Sequence, residues 1–453
     1  MNKLKLALLI GALLVLLGSG LAYGGMVPWA MALIGVATGA LLVIWITLGL
    51  LGIVASEINP RHFVWHVLAV AAVIAWALIQ VFLPLPLDLA HPGWEAMSNL
   101  IAGIDSGTIS VDPSQGLNAI MNLLVYLGMF WIFAQLTRNP ERANIAFNAI
   151  CFIGTTIALI GLVNHLNGPR MLPWLPDQKE VVRSTFINRN NFATYCGFTV
   201  IVSLALLFQT QNTARRETGR TSSTLKQFGR TMVTGGSLYL TAIIVTFMAL
   251  VLSGSRAGMA ATMLGIATLL ALNWFTERKG RRGLGALAPI LLVVTFSTLA
   301  VAGDFLTARL LAEDFANNER FLAYLDVVSA IQDYPLTGIG YGAFAQAYPV
   351  YRSDDVLHVR FFAENTYLEM IFELGIPIAL VWFATLGALA RRCFTGALQR
   401  QRHKVFPMAA AAVSVLAAAH AMLDFSLQIT AVALLFAAII GTGVAQSWPT
   451  RSR

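Results

Sequence analysis

Charged and amide side chains are scarce in this chain, so the few places where they gather are the places where chemistry can occur. Arg183-Ser-Thr-Phe-Ile-Asn-Arg-Asn-Asn-Phe-Ala193 puts Arg183, Arg189 and Asn190 just ahead of an apolar run. Guanidinium groups stay charged and donate parallel hydrogen bonds, which suits phosphate oxygens. The alternative use is to anchor the run among lipid headgroups. Leu252-Ser-Gly-Ser-Arg-Ala-Gly258 is a short turn between two apolar runs and holds Arg256 close to hydrocarbon. A charge at that depth is costly unless it pairs, snorkels or faces a wet cavity. Phe362-Ala-Glu-Asn-Thr-Tyr-Leu-Glu-Met-Ile-Phe-Glu-Leu-Gly375 opens another run with Glu364, Asn365 and Tyr367. Glu364 has the chemistry of a general base for a hydroxyl, and equally that of a charge favouring a helix N-terminus. Asn365 and Tyr367 are placed to hold it, or a sugar, by hydrogen bonds. Glu369 and Glu373 follow at i, i+4 on one helix face, inside the expected span. His420 and Asp424 share that spacing near the C-terminus, where a mutual hydrogen bond is expected.

Other patterns exclude more than they assign. Gly338-Ile-Gly-Tyr-Gly342 looks like a phosphate-binding glycine loop, but no βαβ unit surrounds it; close backbone packing is its expected role. The sequence contains no Asp-x-Asp pair, zinc-type His/Cys cluster, P-loop or Gly-x-Ser-x-Gly elbow. No metal, cofactor or nucleotide-sugar site is therefore expected. Cys151 and Cys196 fall in apolar runs and Cys393 is expected to face the cytoplasm, so no disulfide framework is expected.

These residues must be positioned by lipid-embedded helices. Of 453 residues, 57% are hydrophobic and 11% charged, against about a quarter charged in a soluble domain. Many runs reach the roughly 20 apolar residues that cross about 30 Å of hydrocarbon, and strand-type alternation is absent. The expected fold is an all-α polytopic membrane protein, one integral-membrane domain over residues 1–453 with about twelve spans. The spans fall near residues 4–22, 27–53, 63–83, 117–136, 143–163, 191–209, 233–252, 257–275, 284–303, 365–389, 405–422 and 427–446. Lys3 and Lys5 ahead of the first run resemble a signal peptide, but an uncleaved first span is favoured.

Placing both termini in the cytoplasm puts 21 of the 30 Lys and Arg residues on that side and 18 of the 22 acidic residues on the other or in outer span ends. That asymmetry is the positive-inside pattern. It accounts for the +8 net charge without a nucleic-acid partner. Loops 84–116 and 304–363 then lie outside. The second contains an expected amphipathic helix from about Glu319 to Gln332, carrying Arg320 and lying on the membrane or capping a cavity. Phe321, Leu325, Val328 and Gln332 alternate with polar positions at helical spacing, as do Tyr324, Val328 and Ile331. Pro335 ends it. No internal repeat is visible, which disfavours a transporter built from duplicated halves.

In order, Thr185–Ala193, Ser253–Arg256, Arg320, Asp333–Phe344, Glu364–Gly375 and His420…Asp424-Phe-Ser-Leu427 resemble the O-antigen ligase and O-antigen polymerase superfamily of bacterial surface-glycan assembly. The resemblance covers roughly residues 180–430. It implies a GT-C-like, metal-independent glycosyltransferase of the bacterial inner membrane. Such an enzyme moves a glycan from undecaprenyl diphosphate to an acceptor hydroxyl at the periplasmic face. It further implies catalytic roles for Glu364, Arg256 and Arg320. Arg183, Arg189, Asn190, Asn365, Tyr367, His420 and Asp424 would bind substrate. Much of the family has His where this chain has Glu364. The acceptor is a glycan, as in a repeat-unit polymerase of exopolysaccharide or O-antigen, or the lipid A core of lipopolysaccharide. The polymerase is slightly favoured because residues 304–364 hold four Arg against nine acidic residues. The rival classes are a transporter of lipid-linked oligosaccharide and a structural subunit of a secretion complex.

Overall fold

The apolar runs fold into helices that pack through their smallest side chains. The computed structural model describes residues 3–167, 180–218, 229–276, 319–354, 356 and 359–448. Its helices are α1 (Lys3–Leu21), α2 (Pro28–Leu50), α3 (Val64–Phe82), α4 (Pro92–Ser98), α5 (Pro113–Leu136), α6 (Pro140–Asn167), α7 (Arg189–Thr218), α8 (Ser237–Leu252), α9 (Arg256–Thr276), α10 (Glu319–Asp333), α11 (Phe344–Tyr351), α12 (Thr366–Leu374), α13 (Ile376–Gln399), α14 (Val405–His420) and α15 (Thr430–Gln446). Nine of the described helices are long and apolar enough to cross a membrane, and α14 and α15 are shorter apolar helices. The expected span at 284–303 lies outside the described residues. So do residues 304–318 of the large loop.

At the centre stands α15, buried at every position except Phe436. It packs against α5 and α14, and its glycines allow the close approach that binds helices in lipid. A methyl group at Gly441 would come within 2.6 Å of the Phe130 carbonyl oxygen. The outermost helix is α2, whose Leu33, Val36, Val43 and Leu50 are exposed, as a lipid-facing surface requires. The N-terminal helix α1 is part of the bundle, with Leu9, Ala12 and Leu16 fully buried. Cys393 does not face the cytoplasm. Helix α13 extends to Gln399, and its inward face sets Cys393 in the core, close to α15 at Gly443.

The span expected at 365–389 is broken. Gly375, at φ 78 and ψ 156, separates α12 from α13, and a Cβ there would meet the Leu336 carbonyl oxygen at 2.3 Å. Helix α12 has nine residues, about 14 Å of rise, which is half or less of the hydrocarbon thickness. Glu369 and Glu373 thus lie in a short helix ahead of a span and not within one. The glycine turn explains the break. Ile339 and Gly340 donate backbone N–H bonds to the Phe372 and Glu373 carbonyls, both at 3.1 Å, satisfying the end of α12 that α13 cannot continue. Gln80 of α3 clamps both partners, donating to the Thr337 and Glu373 carbonyls at 2.7 and 2.8 Å. Gly338, at φ 64, lies where a side chain would strike the Glu373 carbonyl. Close packing is the role of the three glycines, as their context indicated.

Loop 84–116 is ordered, with a two-residue antiparallel pairing of Leu85–Pro86 with Ser106–Gly107 and the short helix α4. Val111 N–H donates to the Ile339 carbonyl at 3.1 Å, tying this loop to the glycine turn. Helix α10 forms where its amphipathic pattern placed it, but its orientation differs. Ala323, Val327 and Ala330 face inward, whereas Phe321, Leu325 and Val328 are exposed. Small side chains let α10 approach Phe344 and Tyr348 closely, and that packing outweighs burying the larger residues.

Candidate functional site

Glu364 sits where α10, the approach to α12 and the turn after α14 meet. Its backbone is left-handed at φ 53, a conformation costing a non-glycine residue on the order of 1 kcal/mol or more. The neighbours enforce it. Tyr324 of α10 donates its hydroxyl to the Glu364 carbonyl at 2.8 Å, and Thr366 N–H donates to the Ala421 carbonyl at 2.9 Å. Asn365 is the N-cap of α12, its side chain accepting from Tyr367 and Leu368 N–H at 3.1 Å. Phe362 stacks on Phe425 at 4.3 Å between centroids, closing this segment against the turn after α14.

The Glu364 carboxylate is shared between two guanidinium groups. Arg320 reaches Oε2 with Nε and Nη2, both at 2.5 Å, while Arg360 Nη1 lies 3.2 Å from Oε1. Arg320 is well exposed at 42%, whereas the Arg360 side chain is only 9% exposed. Burial of Tyr324 raises its hydroxyl pKa to about 12, with both arginines, Glu364 and Asp424 acting on it electrostatically.

Behind this rim lies a buried polar cluster. His420 Nδ1 is 2.7 Å from Thr194 Oγ1 and 3.3 Å from Ser426 Oγ. Ser426 donates to Asp424 Oδ2, and Asn190 Nδ2 reaches Oδ1 at 3.4 Å. The expected direct bond between His420 and Asp424 is not formed, because their closest atoms are 3.7 Å apart and Ser426 bridges them. His420 Nε2 is buried without a hydrogen-bond partner. Asp424, fully buried, has its carboxyl pKa pushed up to about 6. Burial is the main cause. The Ser426 bond opposes it, the Glu364 charge adds to it, and Arg320 and Asn190 oppose it.

The structure thus gathers Arg320, Glu364, Asn190, His420 and Asp424. Arg189 and Arg256 begin α7 and α9, whose first turns adjoin: a Cβ at Gly258 would lie 2.7 Å from the Ala193 Cβ. Both residues are half-buried at positive helix ends. Arg183 donates to the Ile187 carbonyl within its own loop at 3.1 Å. Two expected substrate residues have structural partners in the resting protein. Asn365 caps α12, and the Tyr367 hydroxyl donates to the Ala418 carbonyl of α14 at 2.9 Å, because α12 turns that ring toward its neighbour. The buried carboxylates are also engaged. Glu369 accepts from Ala363 N–H and Gln428 at 2.7 Å, and Glu373 accepts from Phe344 N–H at 3.1 Å.

Sequence reasoning missed Arg360, Thr194 and Ser426. Arg360 precedes Glu364 by four residues but lies in an irregular segment, so helical spacing gave no signal; its position among Val359, Phe361 and Phe362 is the one clue. Thr194 and Ser426 look like ordinary helix-end residues until the fold joins them.

No individual curated protein matches the chain. The O-antigen ligase family model matches residues 241–383, which hold Arg256, Arg320, Arg360 and Glu364, and this match supports a likeness of that segment to the O-antigen ligase and O-antigen polymerase superfamily.

Proposed function

We propose that this protein is a metal-independent glycosyltransferase that moves a glycan from undecaprenyl diphosphate to a glycan hydroxyl at the periplasmic face of the inner membrane. The observation that carries this reading is the Glu364 carboxylate between Arg320 and Arg360, beside buried Asp424 and the unpartnered His420 Nε2. Fixed guanidinium donors stabilise the charge that grows on a departing diphosphate. A carboxylate beside them takes the proton of the acceptor hydroxyl. The acceptor oxygen then bonds to the anomeric carbon as the carbon–oxygen bond to phosphate breaks. The bonding pair leaves with undecaprenyl diphosphate, the proton goes to Glu364, and single displacement inverts the anomeric carbon. Arg189 and Arg256, at adjacent helix starts, are read as further contacts to the donor.

The sidedness follows from charge. Lys404 immediately precedes α14 and His420 ends it, so the basic residues Arg138, Arg392, Arg400 and Lys404 gather at the end opposite Glu364. The positive-inside rule makes theirs the cytoplasmic end. A repeat-unit polymerase remains favoured over a ligase acting on lipid A core, because the acidic balance of residues 304–364 suits a neutral glycan better than a phosphorylated acceptor.

The test is a transfer assay with purified protein and a polyprenyl-diphosphate-linked glycan. Transfer by wild type is expected, with Arg256→Ala and Arg320→Ala each weaker by about tenfold or more, and Lys at either position an incomplete rescue because it lacks the bidentate fork. Normal turnover in both Ala variants refutes the reading. Movement of intact donor across vesicles without transfer identifies a transporter. Polymer left on its lipid carrier and missing from lipid A in a deletion strain identifies a ligase.

A further inference from the structure

We propose that the Glu364 carboxylate occupies the donor's anion site at rest, bridging Arg320 and Arg360, and that a bound diphosphate displaces it and so frees the base. This inference rests on the proposed transferase reading and adds Arg360 as a second donor-binding guanidinium.

Four features lead to it. First, each carboxylate oxygen is directed to a different guanidinium, Oε2 to Arg320 and Oε1 to Arg360. Two cations bridged by one anion with separated oxygens is also the arrangement a diphosphate requires. Second, Arg360 is nine-tenths buried and its Nε has no hydrogen-bond partner. A buried N–H left unmatched is costly, and a larger anion than a carboxylate has the additional oxygen to satisfy it. Third, the left-handed backbone of Glu364 is held by Tyr324 and by the Thr366 bond to Ala421, not by the arginines, so the side chain can swing away while the segment stays in place. Fourth, both carboxylate oxygens are directed at guanidinium N–H groups, so neither is aimed at an acceptor hydroxyl. The resting arrangement is therefore unsuited to catalysis until an anion replaces Glu364. Coupling base release to donor occupancy also keeps the base from acting in the absence of donor.

The test uses full-length protein in detergent, with inorganic pyrophosphate and farnesyl diphosphate as probes and calorimetric titration as the readout. Removing the competing carboxylate with Glu364→Gln should tighten pyrophosphate binding by about tenfold, the scale of one charge-assisted hydrogen bond, even as transfer collapses. Arg360→Gln should weaken it by a similar factor. Glu364→Asp, whose shorter side chain reaches Arg320 less well, should tighten binding by a smaller factor and serves if the Gln variant does not fold. Farnesyl diphosphate should give the same order of variants at higher affinity. Equal affinity for both probes would assign the site to free diphosphate and overturn the lipid-donor part. Unchanged or weaker pyrophosphate binding in folded Glu364 variants, or unchanged binding in Arg360→Gln, overturns the inference. Wild-type transfer alongside that failure leaves the transferase reading intact. The expected binding order without any wild-type transfer leaves the anion site standing and removes the transferase reading.

Discussion

Two clusters of charge occupy opposite ends of the helix bundle, and they are built differently. At one end, Glu57 accepts from Lys5 Nζ at 2.6 Å and from Arg142 Nη2. Lys5 also donates to the Ala55 carbonyl at 3.0 Å, Arg142 Nε to the Leu136 carbonyl at 2.5 Å, and Glu57 N–H to Gln135 at 3.0 Å. No buried side-chain polar atom of Lys5, Glu57 or Arg142 lacks a partner. At the other end, Glu364 has a strained backbone, Arg320 is open, and Arg360 and His420 each keep an unmatched nitrogen. The first cluster joins α1, α6 and the segment after α2 and leaves none of its buried side-chain polar atoms unmatched. The second has donors in reserve. Saturation marks a structural clamp, and unmatched donors mark a site.

The largest effect that would break this contrast is on catalysis. Glu364→Gln keeps the shape but leaves one oxygen to accept from one arginine and turns an amide N–H toward the other, so the unfolding midpoint in detergent should fall only slightly. Transfer should fall by about 10²–10⁴, the usual range for acid–base assistance, and Glu364→His should recover part of it. Transfer at the wild-type rate would remove Glu364 as base and turn attention to His420 and Asp424. The clamp predicts the reverse pattern. Arg142→Ala strands Glu57 beside one cation and uncaps the Leu136 carbonyl, which should cost about 3–5 kcal/mol of stability. Per folded molecule, donor KM and turnover should be preserved. A stable Arg142→Ala protein would mean that the closed cluster is not structural.

Why the two ends were unequally legible in the sequence follows from the same contrast. Helices depend on composition over some twenty residues, and among the described residues they lie where hydropathy places them, the run at 365–389 excepted. The break at Gly375 depends on contacts with Pro335 and Leu336 some forty residues away, so a local apolar window read straight through it. Glu364, Arg320 and the His420…Asp424 pair stood out because a charge near hydrocarbon needs a reason. Arg360, Thr194 and Ser426 did not, since their partners are set by tertiary packing. For Asn365 and Tyr367, chain proximity to Glu364 carries no information about which way a side chain turns, so the cap and the bond to Ala418 are visible only in the fold.

A smaller effect tests whether burial at the open end is as described. Burial raises the Asp424 carboxyl from its ordinary 3.8 to about 6, so the folded protein holds its proton longer than the unfolded chain. The stability contributed by burying a neutral carboxyl is complete below about pH 4 and is lost as pH rises toward 6. Integrated over that interval, the change is of the order of 2–3 kcal/mol. Glu364, Arg320, His420, Asn190 and Ser426 all face or act on this carboxyl and set its charge balance. Asp424→Asn cannot ionise, so its stability relative to wild type should rise between pH 4 and 6 and level off above. A difference independent of pH, measured by thermal unfolding across that interval, would show that Asp424 does not titrate there.

The smallest expected effect separates a cap from a sugar contact. Asn365 Oδ1 accepts two N–H groups at the start of α12, and a lost cap costs about 1 kcal/mol. Asn365→Ala should therefore lower stability by that amount, and Asn365→Asp should restore it, since aspartate caps equally well and favours the positive helix end. Because Asn365 adjoins the left-handed Glu364, fraying of the first turn also loosens the Thr366 bond to Ala421 and lets the carboxylate leave its arginines. Turnover in Asn365→Ala should then drop severalfold at saturating acceptor, with acceptor KM little changed. A residue that touched the sugar would behave otherwise: acceptor KM would rise, and Asp, lacking the amide donor, would fail to rescue it. If Asn365→Asp recovers stability but not acceptor KM, the side chain serves the substrate as well as the helix, and the open end extends one residue further than the hydrogen bonds of the resting protein reveal.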